Sequence, residues 1–261
     1  MLLLTAVMAA VSAAAPQANP VQTVEVLALS ATPIAEGEAA EAPAWKGKAT
    51  ASLSATDGNS NDKGAYADLQ MAKDYENGNK WTVGMFWNFR QSRAAGITQR
   101  TTFVETKYDV AINEKTYYYG LASAESKLEN DVDLRWTLGV GLGHSLVKKE
   151  DYQVSIEAGL NHVDESFGIN TADDGSYASG RFGYDMKWIY SEKLTFANNA
   201  SVLFSLDDTD DQNGRMVTNA TYKMTESMLA QAGWIWDWDN TPVVGNGRND
   251  NLYTLSLGWT F

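Results

Sequence analysis

Apolar and polar residues alternate with a period of two from Trp45 to the last residue, and this pattern most limits what the chain can form. The final ten residues, LYTLSLGWTF, put Leu255, Leu257, Trp259 and Phe261 on one face of an extended strand, with Thr254, Ser256, Gly258 and Thr260 on the other. A soluble domain would bury such a face under a helix or a second sheet, but amphipathic helical patterns are scarce upstream. The remaining cover is lipid.

The same rule marks strands at 45–55, 64–75, 80–91, 98–112, 116–125, 131–147, 152–164, 176–190, 194–206, 214–224, 228–238 and 251–261. In the first, Trp45, Ala49, Ala51 and Leu53 oppose Lys46, Lys48, Thr50 and Ser52. The third sets Trp81, Val83, Met85, Trp87 and Phe89 outward, with Thr82, Asn88 and Arg90 inward. The sixth is the clearest: Val132, Leu134, Trp136, Leu138, Val140 and Leu142 alternate with Asp131, Asp133, Arg135, Thr137, Gly139 and Gly141, over more residues than a membrane-crossing strand needs. Glycine on the inner face suits curvature or a crowded lumen. The expected fold is therefore all-β: a closed antiparallel transmembrane β-barrel of about twelve strands with up-and-down topology.

The connections alternate in character. Glu76–Asn79, Asn113–Lys115, Lys148–Asp151, Ser191–Lys193 and Thr225–Ser227 are short, whereas most of the others are longer and polar. That asymmetry, with an even strand count, predicts an outer-membrane barrel with both termini periplasmic. Tyr152, Tyr177, Trp188, Tyr190, Tyr253, Trp259 and Phe261 fall near strand ends, where amphipathic rings favour the membrane interface. A soluble β-sandwich is the competing arrangement, but it would have to bury about twelve long apolar faces.

Composition narrows the classes further. The chain of 261 residues has no cysteine, which removes disulfides, thiolate metal sites, cysteine nucleophiles and a lipoprotein anchor together. A formal charge of −13 argues against nucleic acid as a partner. The mature region has no run of the roughly 18 to 20 apolar residues that a spanning helix needs. At the N-terminus, Leu2–Ala15 is apolar and ends in small residues, and Val11-Ser12-Ala13 or Ser12–Ala14 suits a signal-peptidase site, although no Lys or Arg precedes the run. Residues 1–15 are read as a signal peptide and 16–44, rich in Ala, Pro and Glu, as a flexible periplasmic leader, leaving 45–261 for the barrel.

Several motifs resemble a known family. Trp45-Lys46-Gly47 opens a strand, Asp57-Gly58-Asn59-Ser60 forms the first tip, and Thr116-Tyr117-Tyr118-Tyr119, the run Arg135–Gly143 and Glu157-Ala158-Gly159 follow. Together they are similar to the YdiY-like family of salt-induced outer-membrane proteins, the domain of unknown function 481. The resemblance spans about Trp45 to Phe261, and its motifs are structural. It implies a non-enzymatic barrel serving the envelope under osmotic or ionic stress. The closing strand and its final Phe also resemble the ends of bacterial outer-membrane barrels. That likeness implies recognition by the barrel assembly machinery, with lipid and lipopolysaccharide around a monomer.

Chemistry-bearing residues are sparse. His162 has Asp164, Glu165 and Ser166 close in sequence, and His144 follows outward parity, so a rim enzyme acting on lipid or peptide is one alternative. The acidic run Asp207, Asp208, Asp210 and Asp211 fails the calcium-loop pattern: with Gly214 in the glycine place, the closing carboxylate becomes Ala220. No cofactor or metal is expected. Inward parity instead gives a charged lumen formed by Arg90, Glu105, Lys107, Asp131, Asp133, Arg135, Glu157, Arg181, Asp185 and Lys187. Both signs are present, so pairing is expected, with Arg135 and Arg181 held by carboxylates such as Asp133, Glu157 or Asp185. A filled, poorly conducting lumen follows from that pairing, and a small porin-like diffusion channel is the other alternative.

Overall fold

A computed structural model describes residues 44–55, 62–169, 171, 174–242 and 247–261. The signal peptide read at 1–15, nearly all of the leader and the Asp57–Ser60 tip lie outside the described residues. Twelve strands follow in chain order: β1 (Lys46–Ala55), β2 (Asp62–Asp74), β3 (Lys80–Ser92), β4 (Gly96–Ala111), β5 (Thr116–Lys127) and β6 (Val132–Lys148), then β7 (Tyr152–Phe167), β8 (Gly175–Ile189), β9 (Leu194–Ser205), β10 (Gln212–Lys223), β11 (Met228–Asp239) and β12 (Asn249–Thr260). Each strand pairs antiparallel with its neighbours in sequence, and β12 pairs with β1, so the sheet closes on itself. Every strand boundary lies within three residues of the sequence reading.

Local chemistry explains the turns at the rim that carries both ends of the barrel sequence. Gly78 adopts φ 82°, a left-handed conformation that glycine enters without steric cost, and its N–H donates to the Tyr75 carbonyl at 2.9 Å. At two other turns on this rim a short side chain accepts backbone donors. The Asn113 amide oxygen takes the N–H groups of Lys115 and Thr116, each at 2.9 Å, and the Ser191 hydroxyl takes that of Leu194 at 3.1 Å. The Thr225 hydroxyl repeats the device with the Met228 N–H at 2.9 Å.

The barrel is inside-out relative to a soluble protein. Val140 is 66% exposed and Leu255 77%, whereas Thr137 is 5% exposed and Gln231 1%. An outer surface of Leu, Val, Phe and Trp is stable against acyl chains, and the closed ladder leaves no strand edge unpaired in that medium. Aromatic rings gather at both ends of the strands. Trp45, Trp81 and Tyr108 are in ring contact at the chain-end rim, as are Trp188, Tyr190 and Phe196. Toward the opposite rim, Trp234 stacks on Tyr253 and donates its indole N–H to Asn251 at 2.9 Å. Rings with one apolar body and one hydrogen-bonding tip suit the boundary between lipid and water.

Near the rim opposite the chain ends, some details depart from the sequence reading. The β6–β7 register shifts between Val132 and Leu134, and the β5–β6 register shifts between Glu125 and Lys127. These bulges break the alternation at the start of β6. Val132, read as outward, is 4% exposed and lines the lumen, while Asp133, read as inward, is exposed. Tyr177, read as an interface ring, points inward and donates its hydroxyl to Glu165 at 2.8 Å.

The outward assignment of β6 predicts that Val140→Arg costs about 2 to 4 kcal/mol of folding stability in phospholipid, where Val140→Phe costs little. Urea titrations of the barrel refolded into vesicles measure both. Equal costs for the two changes would contradict a lipid-facing Val140.

Candidate functional site in the barrel lumen

Inward parity on every strand directs polar side chains to the axis, around one cavity of about 1980 Å³. Its lining includes Lys46 and Asn113 at the chain-end rim and Asp211 and Thr241 at the opposite rim, so the space extends from one mouth to the other.

One group of side chains is built on β4, β5, β7 and β8. Glu157 is the centre, with its side chain 1% exposed; it pairs with Lys107 and, at 2.7 Å, with Arg181. The Tyr117 hydroxyl donates to it at 2.9 Å, and Lys107 also meets Asp109 at 2.7 Å. The Lys107 ammonium lies 5.0 Å from the centre of the Tyr117 ring and 5.1 Å from that of Tyr119, so both rings face the cation. Glycine makes this possible. Tyr117 pairs with Gly143 and Tyr119 with Gly141, and a Cβ at either glycine would run into the ring opposite. The rings therefore lie flat on bare backbone, leaving the axis to the charged groups.

A second group stands toward the opposite rim. Arg215 on β10 holds Asp237 with two bonds, at 2.6 and 2.9 Å, and also pairs with Glu125 on β5. Lys127 pairs with Asp237 at 3.0 Å and Asp250 at 2.9 Å, and Arg135 pairs with Glu165 at 2.6 Å. The Arg215 guanidinium packs over the Phe103 and Phe86 rings, 4.8 and 5.3 Å from their centres. Those rings belong to a small apolar cluster with Tyr66 and Ile235 that fills part of the lumen wall. Nearer the chain ends, Lys48 donates to Gln231 at 2.6 Å, and Gln231 also accepts from Thr221 at 3.2 Å.

Of the lumen residues read from the sequence, Glu105, Lys107, Arg135, Glu157, Arg181, Asp185 and Lys187 line the cavity. Three do not. Arg90 is exposed at the end of β3, beside the register shift at Arg90/Gln91. Asp131 caps the short 3-10 turn Leu128–Asn130 in the left-handed conformation, and its carboxylate accepts the Ile169 N–H at 3.0 Å. Asp133 is turned out by the bulge, so the partners of Arg135 are Glu165 and Glu125 in its place. Six charged members of the second group, Glu125, Lys127, Glu165, Arg215, Asp237 and Asp250, lie outside the set read from the sequence, although their parity matches inward neighbours.

The other candidates separate in space. Glu165 faces the lumen, whereas His162 is exposed on the outer face with its ring 5.2 Å from that of Trp136, and the Ser166 hydroxyl donates to the Leu134 carbonyl at 3.2 Å. In the acidic run, the Ser205 hydroxyl accepts the N–H groups of Asp207 and Asp208, and Asp208 accepts that of Asp210. Asp211 reaches the lumen mouth, where burial and the nearby Glu165 carboxylate push its carboxyl above the usual range. Among the described residues, no group of three or more His, Asp or Glu side chains is placed to hold a metal ion.

A closed sheet with an apolar outside and a charged lumen defines a transmembrane β-barrel. The chain belongs to the family described as "Protein of unknown function, DUF481", whose model matches residues 49–261. No curated protein sequence matches it. Among solved structures it is similar to the NanC porin, at 16% identity over 83% of this chain and 98% of that one, with a TM-score of 0.46. It is also similar to the KdgM porin, at 10% identity over 84% and 99% with a TM-score of 0.43. The translocator domain of the autotransporter NalP from Neisseria meningitidis gives 13% identity over 83% and 87%, with a TM-score of 0.44.

Two substitutions test how the lumen is built. Glu157→Gln leaves two buried cations short of their shared anion and should cost about 3 to 5 kcal/mol in urea unfolding of the barrel in detergent. Gly143→Val displaces the Tyr117 ring and should cost about 1 to 3 kcal/mol. Gly120→Ala is the reference: its added methyl meets nothing within 4 Å, and its effect should stay within about 0.5 kcal/mol.

Proposed function

We propose that this protein is a non-enzymatic barrel of the bacterial outer membrane, with both ends of the barrel on the periplasmic side, and that its lumen is a narrow aqueous passage for small hydrophilic solutes. The cavity that reaches both mouths is the observation that carries this reading. The apolar outer band, the two sets of interfacial rings and the short turns gathered at the chain-end rim support the membrane and its orientation. Twelve strands give a lumen between the filled interior of eight-stranded barrels and the open channel of sixteen-stranded porins.

The geometry favours the porin-like alternative over a fully filled lumen. Side chains that pair inside the barrel narrow the cavity without dividing it. A role under osmotic or ionic stress, implied by the family resemblance, would then be one of solute exchange across the envelope.

Liposome swelling with sugars of graded size tests the proposal. Vesicles carrying the folded barrel should swell in a small sugar such as arabinose and remain unchanged in a trisaccharide. Vesicles that hold inserted, heat-modifiable barrel yet swell in neither sugar would overturn the passage.

A further inference from the structure

The second group of charges differs from the first in span. Arg215 on β10 reaches Glu125 on β5, and Lys127 on β5 reaches Asp237 on β11 and Asp250 on β12. In a ring of twelve strands, β5 and β11 stand on opposite walls. These contacts therefore cross the lumen. All five residues sit at the strand ends away from the chain-end rim: Glu125 and Lys127 close β5, Arg215 and Asp250 lie just inside the starts of β10 and β12, and Asp237 lies near the end of β11. Among the described residues, no ion pair in the other half of the barrel joins opposite walls; Lys107 and Glu157, on β4 and β7, are three strands apart. A solute crossing the lumen must pass beside the bridge, with the Phe86 and Phe103 rings under Arg215 stiffening one side.

The bridge is not neutral. With the adjoining Arg135–Glu165 pair it holds four carboxylates against three cations, Lys127, Arg135 and Arg215. The layer beneath is also acidic: Glu105, Glu157 and Asp185 stand against Lys107 and Arg181, while Asp109, nearer the chain-end rim, stands level with Lys80. Every cation in these two layers is engaged by a carboxylate, whereas no described cation lies within ion-pair distance of Glu105 or Asp185. Asp250 remains open to the mouth, with 43% of its side chain exposed. A mobile ion therefore meets unneutralised carboxylate in a confined, weakly screened space, and the matching cations are already covered. Lys46, Lys48, Lys80 and Lys187 line the chain-end half, Lys80 level with Asp109, and all four lie beyond the bridge.

We infer that the bridge from Glu125 and Lys127 to Arg215, Asp237 and Asp250 is the constriction of the passage and, with the acidic layer below it, makes the passage selective for small cations. The inference rests on the passage proposed above, and it assigns that passage a solute class.

Reversal potentials of the purified barrel in planar bilayers, recorded across a potassium chloride gradient, test it. Potassium should be favoured over chloride severalfold. Asp250→Asn removes one exposed carboxylate while Lys127 keeps Asp237, so the barrel should assemble normally and lose a substantial part of that preference. Arg215→Gln, in barrel shown to be folded by heat-modifiability, should raise both single-channel conductance and cation preference. A permeability ratio at or below one, or a preference that Asp250→Asn leaves unchanged, would overturn the inference while leaving the passage intact. Folded barrel that carries no current would remove the passage and the inference together.

Discussion

Closure of the sheet between β1 and β12 is the interaction on which the rest of the molecule depends. Lys48 pairs with Thr260 and Ala51 with Leu257, and beyond them Gly47 and Phe261 exchange backbone hydrogen bonds at 2.9 and 3.0 Å. In hydrocarbon an open edge would leave a row of donors and acceptors unsatisfied, each at a cost of several kcal/mol, so a sheet in lipid must end on itself. Small residues let the seam close tightly. A Cβ on Gly47 would meet the Gln70 carbonyl and the Phe261 ring, and one on Gly258 would meet the Ala49 carbonyl. Once the seam's register is fixed, the parity of every strand is fixed with it, and inside and outside follow.

That dependence explains what the sequence made legible. A period of two states the face on which a residue lies, and it holds over the body of each strand: Leu138 and Val140 are exposed, and Thr137 is buried. It fails where the count of residues changes. The bulge at the head of β6 moved Val132 inward and Asp133 outward, and no composition signal marks a bulge between two apolar residues. Tyr177 failed for another reason: a ring near a strand end suits the interface equally well on either face, and parity alone had to decide.

The lumen was legible as a face and not as a set of partners. Glu125 and Arg215 are 90 residues apart, Lys127 and Asp237 110, and Lys127 and Asp250 123. Such pairs arise only from the closed ring, because it brings β5 opposite β11. Neighbouring strands were no better guide for Arg135. The bulge removed Asp133 from the lumen, and Glu165 on the adjacent strand, which the sequence associates with His162, took the guanidinium in its place. Nearness in sequence groups His162 with Glu165, but an odd separation along a strand puts them on opposite faces of β7, as the structure has them.

The charges inside the barrel join wall and aperture in one set of groups. Glu157 ties β4 to β7 and β8 through Lys107 and Arg181, and the tyrosines over Gly141 and Gly143 keep those cations near the axis. Arg215 and Lys127 then tie opposite walls directly. A wide lumen would need these side chains withdrawn, but withdrawal strands a buried carboxylate or guanidinium without its partner, which costs more than a surface ion pair contributes. The narrowness of the passage and the rigidity of the sheet around it therefore have one cause. Substitutions that widen the aperture by removing a bridge residue must loosen the wall as well, unless, as at Asp250, the partner retains a second carboxylate.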